Sequence, residues 1–246
     1  MTKAEIQLIR SLGDKRGRSE TGLFVAEGEK LISEIRSSQL RIRKIFALEG
    51  LFTGPDVEIV STKEMERLSL LKTPSKALAI VEIPHHRLDV GAFDKHLVLA
   101  LDEVQNPGNL GTIIRLADWF GITDILCSHD SADCFNPKVV QATMGAILRV
   151  RVHYVDLPAL LHEARQASIP IYGTFLEGEN LYHTPLTPHG ILVMGNEGRG
   201  ISTEVGKQVT HKLLIPPYPA DCRTSESLNV AMATGIICAE FRRRQG

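Results

Sequence analysis

Residues 96–121 decide the fold of the second half of this chain, and they read HLVLALDEVQNPGNLGTIIRLADWFG. The run HLVLALD has the length and composition of a buried strand. Residues 106–108, Asn-Pro-Gly, form a turn, and Asn109 is a favourable N-cap for a helix that Gly121 ends. The buried face of this helix is predicted from four apolar residues: Ile113, Ile114, Ala117 and Phe120. A strand, a tight turn and an amphipathic helix form the repeating unit of parallel sheets covered by helices.

The same alternation continues to the end of the chain. Five further runs of strand length follow, separated by amphipathic stretches: DILCS, RVHYV, IPIYGTF, GILVMG and KLLIP. This pattern predicts an α/β domain with a mostly parallel sheet. Because such sheets bind ligands in loops that leave the carboxyl ends of the strands, the residues just after each run are candidates for function.

The N-terminal part mixes helices and strands, which predicts a smaller α/β domain. Thr2 and Glu5 form a capping box that opens a first helix. Its apolar residues are Ile6, Leu8, Ile9 and Leu12, and a second helix has Leu31, Ile32 and Ile35 at helical spacing. Strand-like runs occupy residues 42–48, 57–60 and 77–83.

Residues 84–95, PHHRLDVGAFDK, are rich in turn formers and charges, which is typical of a linker. We therefore predict two domains, over residues 1–90 and 91–246. His85 and His86 are interpreted as solvated linker residues, because no cluster of further metal ligands accompanies them.

Composition argues against several classes of protein. The 246 residues carry 28 Lys and Arg against 29 Asp and Glu, a net charge of −1, so the chain is not a strongly basic nucleic-acid-binding domain. The four cysteines form no Cys-x-x-Cys pair, which favours reduced thiols over a zinc site or a disulfide framework. No apolar run has the length of a signal peptide or a membrane span, so we expect a cytoplasmic protein without a membrane partner.

Arg115 is the candidate functional residue of the first loop and helix. It lies off the apolar face, and Gly111 lies one turn before it, so its guanidinium can extend toward Asn109 near the helix N-terminus. An anion such as a phosphate is favoured there. The alternative is a surface arginine that pairs with Asp118 at i+3.

The second candidate loop is MGNEGRGIS, residues 194–202. Its glycines permit a close approach of a ligand to the backbone, while Asn196 and Glu197 supply polar groups. The order G-x-x-G-x-G reverses the dinucleotide-binding fingerprint and comes late in the domain, which argues against a nicotinamide or flavin cofactor. Arg199 is either a phosphate contact or a solvated loop residue.

The third candidate segment spans residues 215–241. Prolines interrupt its start, and Ser227 or Ser225 is predicted to cap an apolar helix. Small residues recur in this helix at i, i+4 and i+8: Ala231, Gly235 and Ala239. Such a stripe lets another backbone pack closely, either within the domain or across a dimer interface. Ser227 and Asn229 are polar groups at the same sheet edge.

Together the segments NPGNLGTIIR, LVMGNEGRGIS and IP…SLNVAMATGI resemble the three motifs of the SpoU (TrmH) branch of the SPOUT RNA methyltransferases, in order and spacing. The resemblance covers roughly residues 96–246. The N-terminal stretches FVAEGEKLISEI and STKEMERLSLLKTPSKALAIVE are similar to the ribosomal-protein-like substrate-binding domain of members that modify ribosomal RNA. The resemblance implies a C-terminal SPOUT domain with a deep trefoil knot, a fold that composition and periodicity alone do not reveal.

The resemblance also implies an activity, methyl transfer from S-adenosylmethionine to a ribose 2′-hydroxyl of RNA by a homodimer joined through the knotted domain. The matching catalytic positions are Asn109, Arg115, Glu197, Ser227 and Asn229. The matching cofactor positions are Thr174, Gly195, Ile215 and Leu228. The segment between Ile215 and Ser227 is longer than is usual in the family, which makes the match of Ile215 less secure than that of Leu228 or Asn229.

Several alternatives stay open at this point. Ribosomal RNA is favoured over transfer RNA by the N-terminal resemblance, and a catalytically silent RNA-binding or ribosome-assembly protein would share the fold. A nucleotide-dependent oxidoreductase is disfavoured because an early G-x-G-x-x-G is missing. Arg115 either takes the proton of the ribose hydroxyl or stabilises the alkoxide electrostatically. Basic runs at 15–18, 41–44 and 242–244, with Arg115 and Arg199, make a segregated basic surface plausible despite the neutral sum.

Overall fold

A computed structural model describes residues 1–219 and 227–245 of the chain. They divide into two compact units, each described by itself. The first unit contains residues 1–85 and 133–148, and the second contains the described parts of residues 86–132 and 149–246. No helix of the described chain is both long and apolar enough to cross a membrane.

The helices of the described chain are α1 (Lys3–Ser11), α2 (Lys15–Thr21), α3 (Glu29–Arg36), α4 (Thr62–Leu68), α5 (Pro107–Trp119), α6 (Pro137–Ala142), α7 (Leu157–Gln166), α8 (Thr203–Gly206) and α9 (Val230–Arg243). The strands are β1 (Leu23–Glu27), β2 (Ile42–Ala47), β3 (Val57–Ile59), β4 (Ala77–Glu82), β5 (Leu97–Leu101), β6 (Asp124–Ser128), β7 (Arg151–Val155), β8 (Ile171–Asn180), β9 (Gly190–Met194) and β10 (His211–Leu214). Short 3-10 helices span Val90–Ala92 and Ala146–Leu148.

The first unit is built on a four-stranded sheet of order β1-β4-β2-β3. β4 pairs antiparallel with β1 and β2, whereas β2 and β3 are parallel. Apolar side chains are buried on both faces of this sheet, because helices cover each face. Ile35 of α3 lies in the core of one face, and Ile9 of α1 lies in the core of the other.

Several local predictions for this unit are confirmed. The capping box at Thr2 is formed, since its hydroxyl accepts from the N–H of Glu5 and its own N–H donates to the Glu5 carboxylate. The helix containing Ile32 and all three strand-like runs are present. Three helices, α2, α4 and α6, and one strand, β1, were not predicted. α2 has no apolar stripe, and its one buried side chain is Arg18; α4 begins with a capping box at Ser61 that the sequence did contain.

Residues 133–148 belong to the first unit, although the sequence prediction placed them in the second domain with everything after residue 90. Val140 of α6 lies in the core beside β1, and the ring of Phe135 lies 4.9 Å from that of Phe24. The carboxylate of Asp133 accepts two hydrogen bonds from the buried guanidinium of Arg18, at 2.8 and 2.6 Å. The domain boundary near residue 90 stays a prediction. Residues 133–148 are an exception to it, because they pack in the first unit.

The second unit contains a six-stranded sheet of order β10-β8-β9-β5-β6-β7, in which every pair of neighbours is parallel. All six apolar runs of the sequence form these strands, so the predicted α/β architecture is confirmed. Leu101, at the carboxyl end of β5, lies opposite Cys127 of β6 and Met194 of β9. The loops that follow β5 and β9 therefore leave the same edge of the sheet side by side.

The predicted helix caps need correction. α5 begins at Pro107, and Asn106 is its N-cap, with its side-chain oxygen accepting from the N–H groups of Gly108 and Asn109. Proline is favoured at the first helical position, so the cap lies before it and Asn109 is inside the helix with its side chain free for other contacts. α9 is capped by Asn229 instead of Ser227, and the alternative cap Ser225 lies outside the described residues.

Candidate functional site

A chain of hydrogen bonds joins the three candidate segments at the carboxyl edge of the parallel sheet. The Asn109 Nδ2 donates to Glu197 Oε1 at 2.9 Å, and the Asn229 Nδ2 donates to Asn109 Oδ1 at 3.0 Å. The N–H of Asn106 also points to Glu197 Oε1, at 3.4 Å. Because a carboxylate only accepts, it fixes the amide orientation of Asn109, which in turn fixes that of Asn229. Three predicted site residues, which come from three distant segments, thus form one hydrogen-bonded cluster.

The side chain of Asn229 has two functions in this arrangement. Its oxygen accepts from the N–H groups of Ala231 and Met232 and thereby caps α9, while its NH₂ group contacts Asn109. The start of α9 is therefore tied to the start of α5. Ser227 is exposed, and it makes no side-chain hydrogen bond to the other predicted site residues in the described chain. The structure brings together Asn109, Glu197 and Asn229 but does not join Ser227 to them.

Arg115 is exposed on α5, and its guanidinium makes no hydrogen bond or ion pair with any residue in 1–219 or 227–245. The alternative that Arg115 pairs with Asp118 is wrong. Asp118 accepts from Arg149 instead, at 2.8 to 3.0 Å through both carboxylate oxygens. Arg149 therefore neutralises the acidic neighbour that would otherwise compete for Arg115.

The loop after β9 is held by residues that the sequence did not single out as site residues. Asp102 is buried, and its carboxylate accepts from the N–H of Ser202 at 2.7 Å. The Asn196 Nδ2 donates to the main-chain carbonyl of Glu103 at 2.8 Å. A Cβ at Gly195 would lie 2.3 Å from the backbone of Gly200, so the return of this loop onto itself requires glycine there.

The sequence indicates only some of the residues that hold the loop after β9. Asn196 stands in a glycine-rich loop at a strand end, which is a usable signal. Asp102 and Glu103 look like ordinary polar residues after a buried strand. Nothing in their spacing shows that they reach a loop almost a hundred residues later.

A family model described as the SpoU rRNA Methylase family matches residues 96–239, which is more than half of the chain. The chain belongs to the SpoU rRNA methylase family. A second family model, described as the MRM3-like substrate binding domain, matches residues 3–79. The resemblance drawn from the three motifs and from the N-terminal stretches is thereby confirmed.

The chain is similar to the 23S rRNA (guanosine(2553)-2′-O)-methyltransferase RlmP of Bacillus subtilis, with 30% identity over 95% of this chain and 94% of that protein. It is also similar to the solved structure of an RNA methyltransferase of the TrmH family from Porphyromonas gingivalis, with 40% identity, a TM-score of 0.88 and 99% of both chains covered. The AdoMet-bound rRNA methyltransferase from Sinorhizobium meliloti is 28% identical, with a TM-score of 0.87 over 99% of this chain and 96% of that one.

These likenesses confirm the predicted fold class. The second unit has the knotted SPOUT fold of the SpoU methyltransferases, and the chain carries a substrate-binding domain before it. The family's cofactor is S-adenosylmethionine, as the AdoMet-bound structure illustrates.

Three predicted cofactor positions of this SpoU protein, Thr174, Gly195 and Ile215, lie at the ends of β9 and β10 and at an irregularity within the neighbouring strand β8. Gly173 of β8 lies opposite Val193 of β9 and Lys212 of β10. Thr174 is the next residue of β8, and Gly195 comes just after β9. Between Lys212 and the following residue, the β8 partner jumps from Gly173 to Glu179, so residues 174–178 bulge out of the pairing with β10.

Main-chain groups at these positions fit a ligand that is recognised through the backbone. Gly195 is buried, yet neither its N–H nor its carbonyl has a hydrogen-bond partner within the described residues, and the backbone groups of the partly buried Ile215 are unpaired there too. Buried backbone groups are rarely left unpaired without a ligand or water. Leu228 is an apolar side chain that is 51% exposed. Unpaired backbone groups beside apolar surface suit the polar edge and the flat ring of an adenine.

The basic runs of the sequence do not form a free basic surface. Most of their members are paired with acidic residues: Arg16 with Glu20, Arg18 with Asp133, Arg43 with Glu82, Lys44 with Glu5 and Glu58, and Arg243 and Arg244 with Glu240. The hydrogen bonds from Arg243 and Arg244 lower the pKa of Glu240 to about 2. Arg199 forms an ion pair with Glu103 and stays largely exposed. Arg115 and Arg41 differ from the cations above in forming no ion pair within the described chain.

Proposed function

We propose that this protein transfers a methyl group from S-adenosylmethionine to a ribose 2′-hydroxyl of ribosomal RNA. The observation that carries the proposal is the linkage of Asn109, Glu197 and Asn229, together with Arg115, which lies on the same helix as Asn109 and has no partner in the described chain. Ribosomal RNA is favoured over transfer RNA because the relative from Bacillus subtilis, which spans 95% of this chain, is named a 23S rRNA methyltransferase. The N-terminal match to a substrate-binding domain supports the same choice.

The cofactor positions are proposed to act mainly through their backbone. Gly195 and Ile215 offer N–H and carbonyl groups that are unpaired within the described residues, and Leu228 supplies apolar surface. Thr174 lies in the neighbouring strand β8, just after the residue at which its pairing with β10 is interrupted. When bound, S-adenosylmethionine supplies a methyl group on a sulfonium, which is already a good leaving group. The remaining tasks are to position the ribose hydroxyl and to remove its proton.

Arg115 is proposed to act on the ribose oxygen. A guanidinium has a pKa above about 12, so it is a very weak base and a strong, permanent cation. Stabilisation of the developing alkoxide is therefore the role that its chemistry favours, with proton removal as the alternative if a substrate phosphate engages it. Asn109 would orient the ribose, Glu197 would hold Asn109, and Asn229 and Ser227 would shape the pocket.

The two predicted domains are proposed to have different functions. Residues 1–90 would bind the RNA substrate, and residues 91–246 would form the methyltransferase domain. We infer that the reaction takes place in the cytoplasm. Cys127, Cys134 and Cys238 are buried, and burial raises the pKa of Cys238 to about 12, which keeps that thiol protonated and unreactive.

We also propose a homodimer joined through α5 and α9. The stripe of small residues on α9 is used partly within the protomer, since a Cβ at Gly235 would lie 3.5 Å from the Leu116 side chain of α5. Beside this contact, Trp119 is 82% exposed and Met232 is 64% exposed. Two large exposed apolar side chains on adjacent helices are unfavourable in a monomer, and a second copy of the chain would bury them.

Trp119→Glu is expected to convert the dimer to a monomer, because it places a charge in the centre of the proposed apolar interface. Sedimentation equilibrium of the purified chain measures the change directly. Ile59→Glu is the control, since Ile59 is 51% exposed and lies in β3 of the first unit. A wild-type chain that sediments as a monomer, or a Trp119 variant that stays dimeric, would contradict the proposed interface.

The activity is tested with S-adenosylmethionine carrying a labelled methyl group and total RNA from a strain that lacks the protein. Label is expected in ribosomal RNA, on a ribose 2′-oxygen, and nuclease mapping would locate the nucleotide. Label in transfer RNA would favour the alternative substrate. Binding of the cofactor by calorimetry without label in any RNA would indicate a catalytically silent RNA-binding protein with the same fold.

A further inference from the structure

We propose that Glu103 is a positioning residue for the methyl transfer, and that it acts through an ion pair with Arg199 that holds the loop carrying Glu197. The proposal rests on the function proposed above. Its starting point is the backbone of Glu103, which has φ of 56° although it is not glycine. This left-handed conformation is unfavourable for residues with a Cβ, and such outliers persist where the surroundings hold them in place.

The backbone of Glu103 is held on both sides. Its N–H donates to Ser128 Oγ at 2.9 Å, at the end of the neighbouring strand β6. Its carbonyl accepts from Asn196 Nδ2 at 2.8 Å. A glycine would make the same two hydrogen bonds without strain. The backbone alone therefore gives no reason for a glutamate at this position, so its side chain needs a separate explanation.

The carboxylate of Glu103 is 24% exposed, and its partner in the described chain is the guanidinium of Arg199. Arg199 itself is 70% exposed, so the pair is open to water and contributes little to global stability. It joins the loop after β5 to the loop after β9. The first loop leads into α5, which carries Asn109, and the second loop carries Glu197; these two side chains contact each other at 2.9 Å.

The turn around Glu197 explains how the ion pair affects the site. Asn196 Oδ1 accepts from the N–H of Gly198 at 2.9 Å and from the N–H of Arg199 at 3.1 Å. Glu197 thus lies in a turn whose two ends, Asn196 and Arg199, both contact Glu103. Releasing one end would let the Glu197 carboxylate move away from Asn109, and small displacements of positioning groups are costly to turnover.

The experiment compares Glu103→Gly, Arg199→Gln, the double variant and the exchanged pair Glu103→Arg with Arg199→Glu, using the full chain. Each single change is expected to lower kcat about tenfold, with the KM for RNA and the Kd for S-adenosylmethionine within about twofold of wild type. The double variant should be no more than about twofold worse than either single one, since both remove the same contact. The exchanged pair should recover activity to within about threefold of wild type.

A second measurement follows the free protein and does not depend on activity. Hydrogen exchange at the N–H groups of Gly198 and Arg199 is expected to be about fivefold faster in Glu103→Gly. The temperature of thermal unfolding should not fall below that of the wild type, because glycine relieves the backbone strain at this φ. Glu204→Gln is the control: Glu204, in α8, forms an exposed ion pair with Lys207, and its removal should change neither kcat nor the exchange rates of the turn around Glu197.

Direct contact of Arg199 with RNA phosphate would give a different pattern. Arg199→Gln would then raise the KM for RNA, Glu103→Gly would leave or lower it, and the exchanged pair would not recover activity because a glutamate repels phosphate. That pattern, or unchanged hydrogen exchange in Glu103→Gly, would overturn the proposal. If the wild-type chain labels no RNA, the proposed function fails, whereas the exchange rates still decide whether Glu103 holds the loop.

Discussion

Arg115→Ala is expected to lower methyl transfer by about 10²–10³-fold, which is the usual cost of removing one group that stabilises developing negative charge. The Kd for S-adenosylmethionine should stay within about twofold of wild type, since the proposed cofactor contacts are main-chain groups at other positions. Transfer of label to ribosomal RNA in single-turnover reactions measures the first quantity, and calorimetry measures the second.

The structure makes this prediction sharper than the motif alone does. A surface arginine that already pairs with a carboxylate would lose part of its effect on a ligand. Here Asp118, the acidic neighbour at i+3, is engaged by Arg149 through both oxygens, and Arg115 makes no ion pair within residues 1–219 and 227–245. The full charge of Arg115 is therefore available to a ribose oxygen or to a phosphate.

Arg115→Lys separates the two proposed roles. Lysine keeps the charge but loses the planar fork, so appreciable residual activity would favour simple electrostatic stabilisation. Arg165→Ala is the control, because it removes an exposed arginine of α7 in the same unit and should leave kcat unchanged. Near-normal turnover in Arg115→Ala would remove Arg115 from the mechanism.

The six strands of the second unit were predictable because both faces of their parallel sheet are buried. Strands buried on both faces appear in the sequence as continuous apolar runs. The helix starts were harder. Asn109 has the chemistry of a cap, but Pro107 moves the first turn of α5 earlier, and the capping function falls to Asn106. The error changes the functional interpretation. Because Asn109 does not cap the helix, its side chain forms hydrogen bonds with Glu197 and Asn229 instead.

Contacts between distant segments were the part that sequence could not supply. The motifs indicated which residues belong to the site, but not that Glu197 orients Asn109 or that Glu103 contacts Arg199. Charge runs misled for the same reason, because each arginine was counted without its partner. A run such as KRGR at 15–18 looks like a basic surface until the contact of Arg18 with Asp133 is known.

Asp133→Ala is expected to lower the free energy of unfolding of the first unit by about 3 kcal/mol, the typical cost of breaking a buried ion pair. The guanidinium of Arg18 is 2% exposed and keeps only the carbonyl of Leu12 as a partner, at 2.7 Å, when the carboxylate is removed. An uncompensated charge would then be buried between α2 and the segment that follows Asp133. Hydrogen exchange in β1 and β4 measures the loss, whereas the single tryptophan, Trp119, lies in the second unit.

Two further variants distinguish a buried charge from a general weakening of α2. Glu20→Ala breaks an ion pair of the same helix, with Arg16, whose side chains are 88% and 61% exposed, and it should cost at most about 1 kcal/mol. Combining Arg18→Met with Asp133→Leu should recover much of the stability lost in Asp133→Ala, because apolar replacement of both partners leaves no charge unpaired. If Asp133→Ala costs no more than Glu20→Ala, the pair does not anchor residues 133–148 to the first unit, and the apolar contacts of Val140 and Phe135 hold that segment alone.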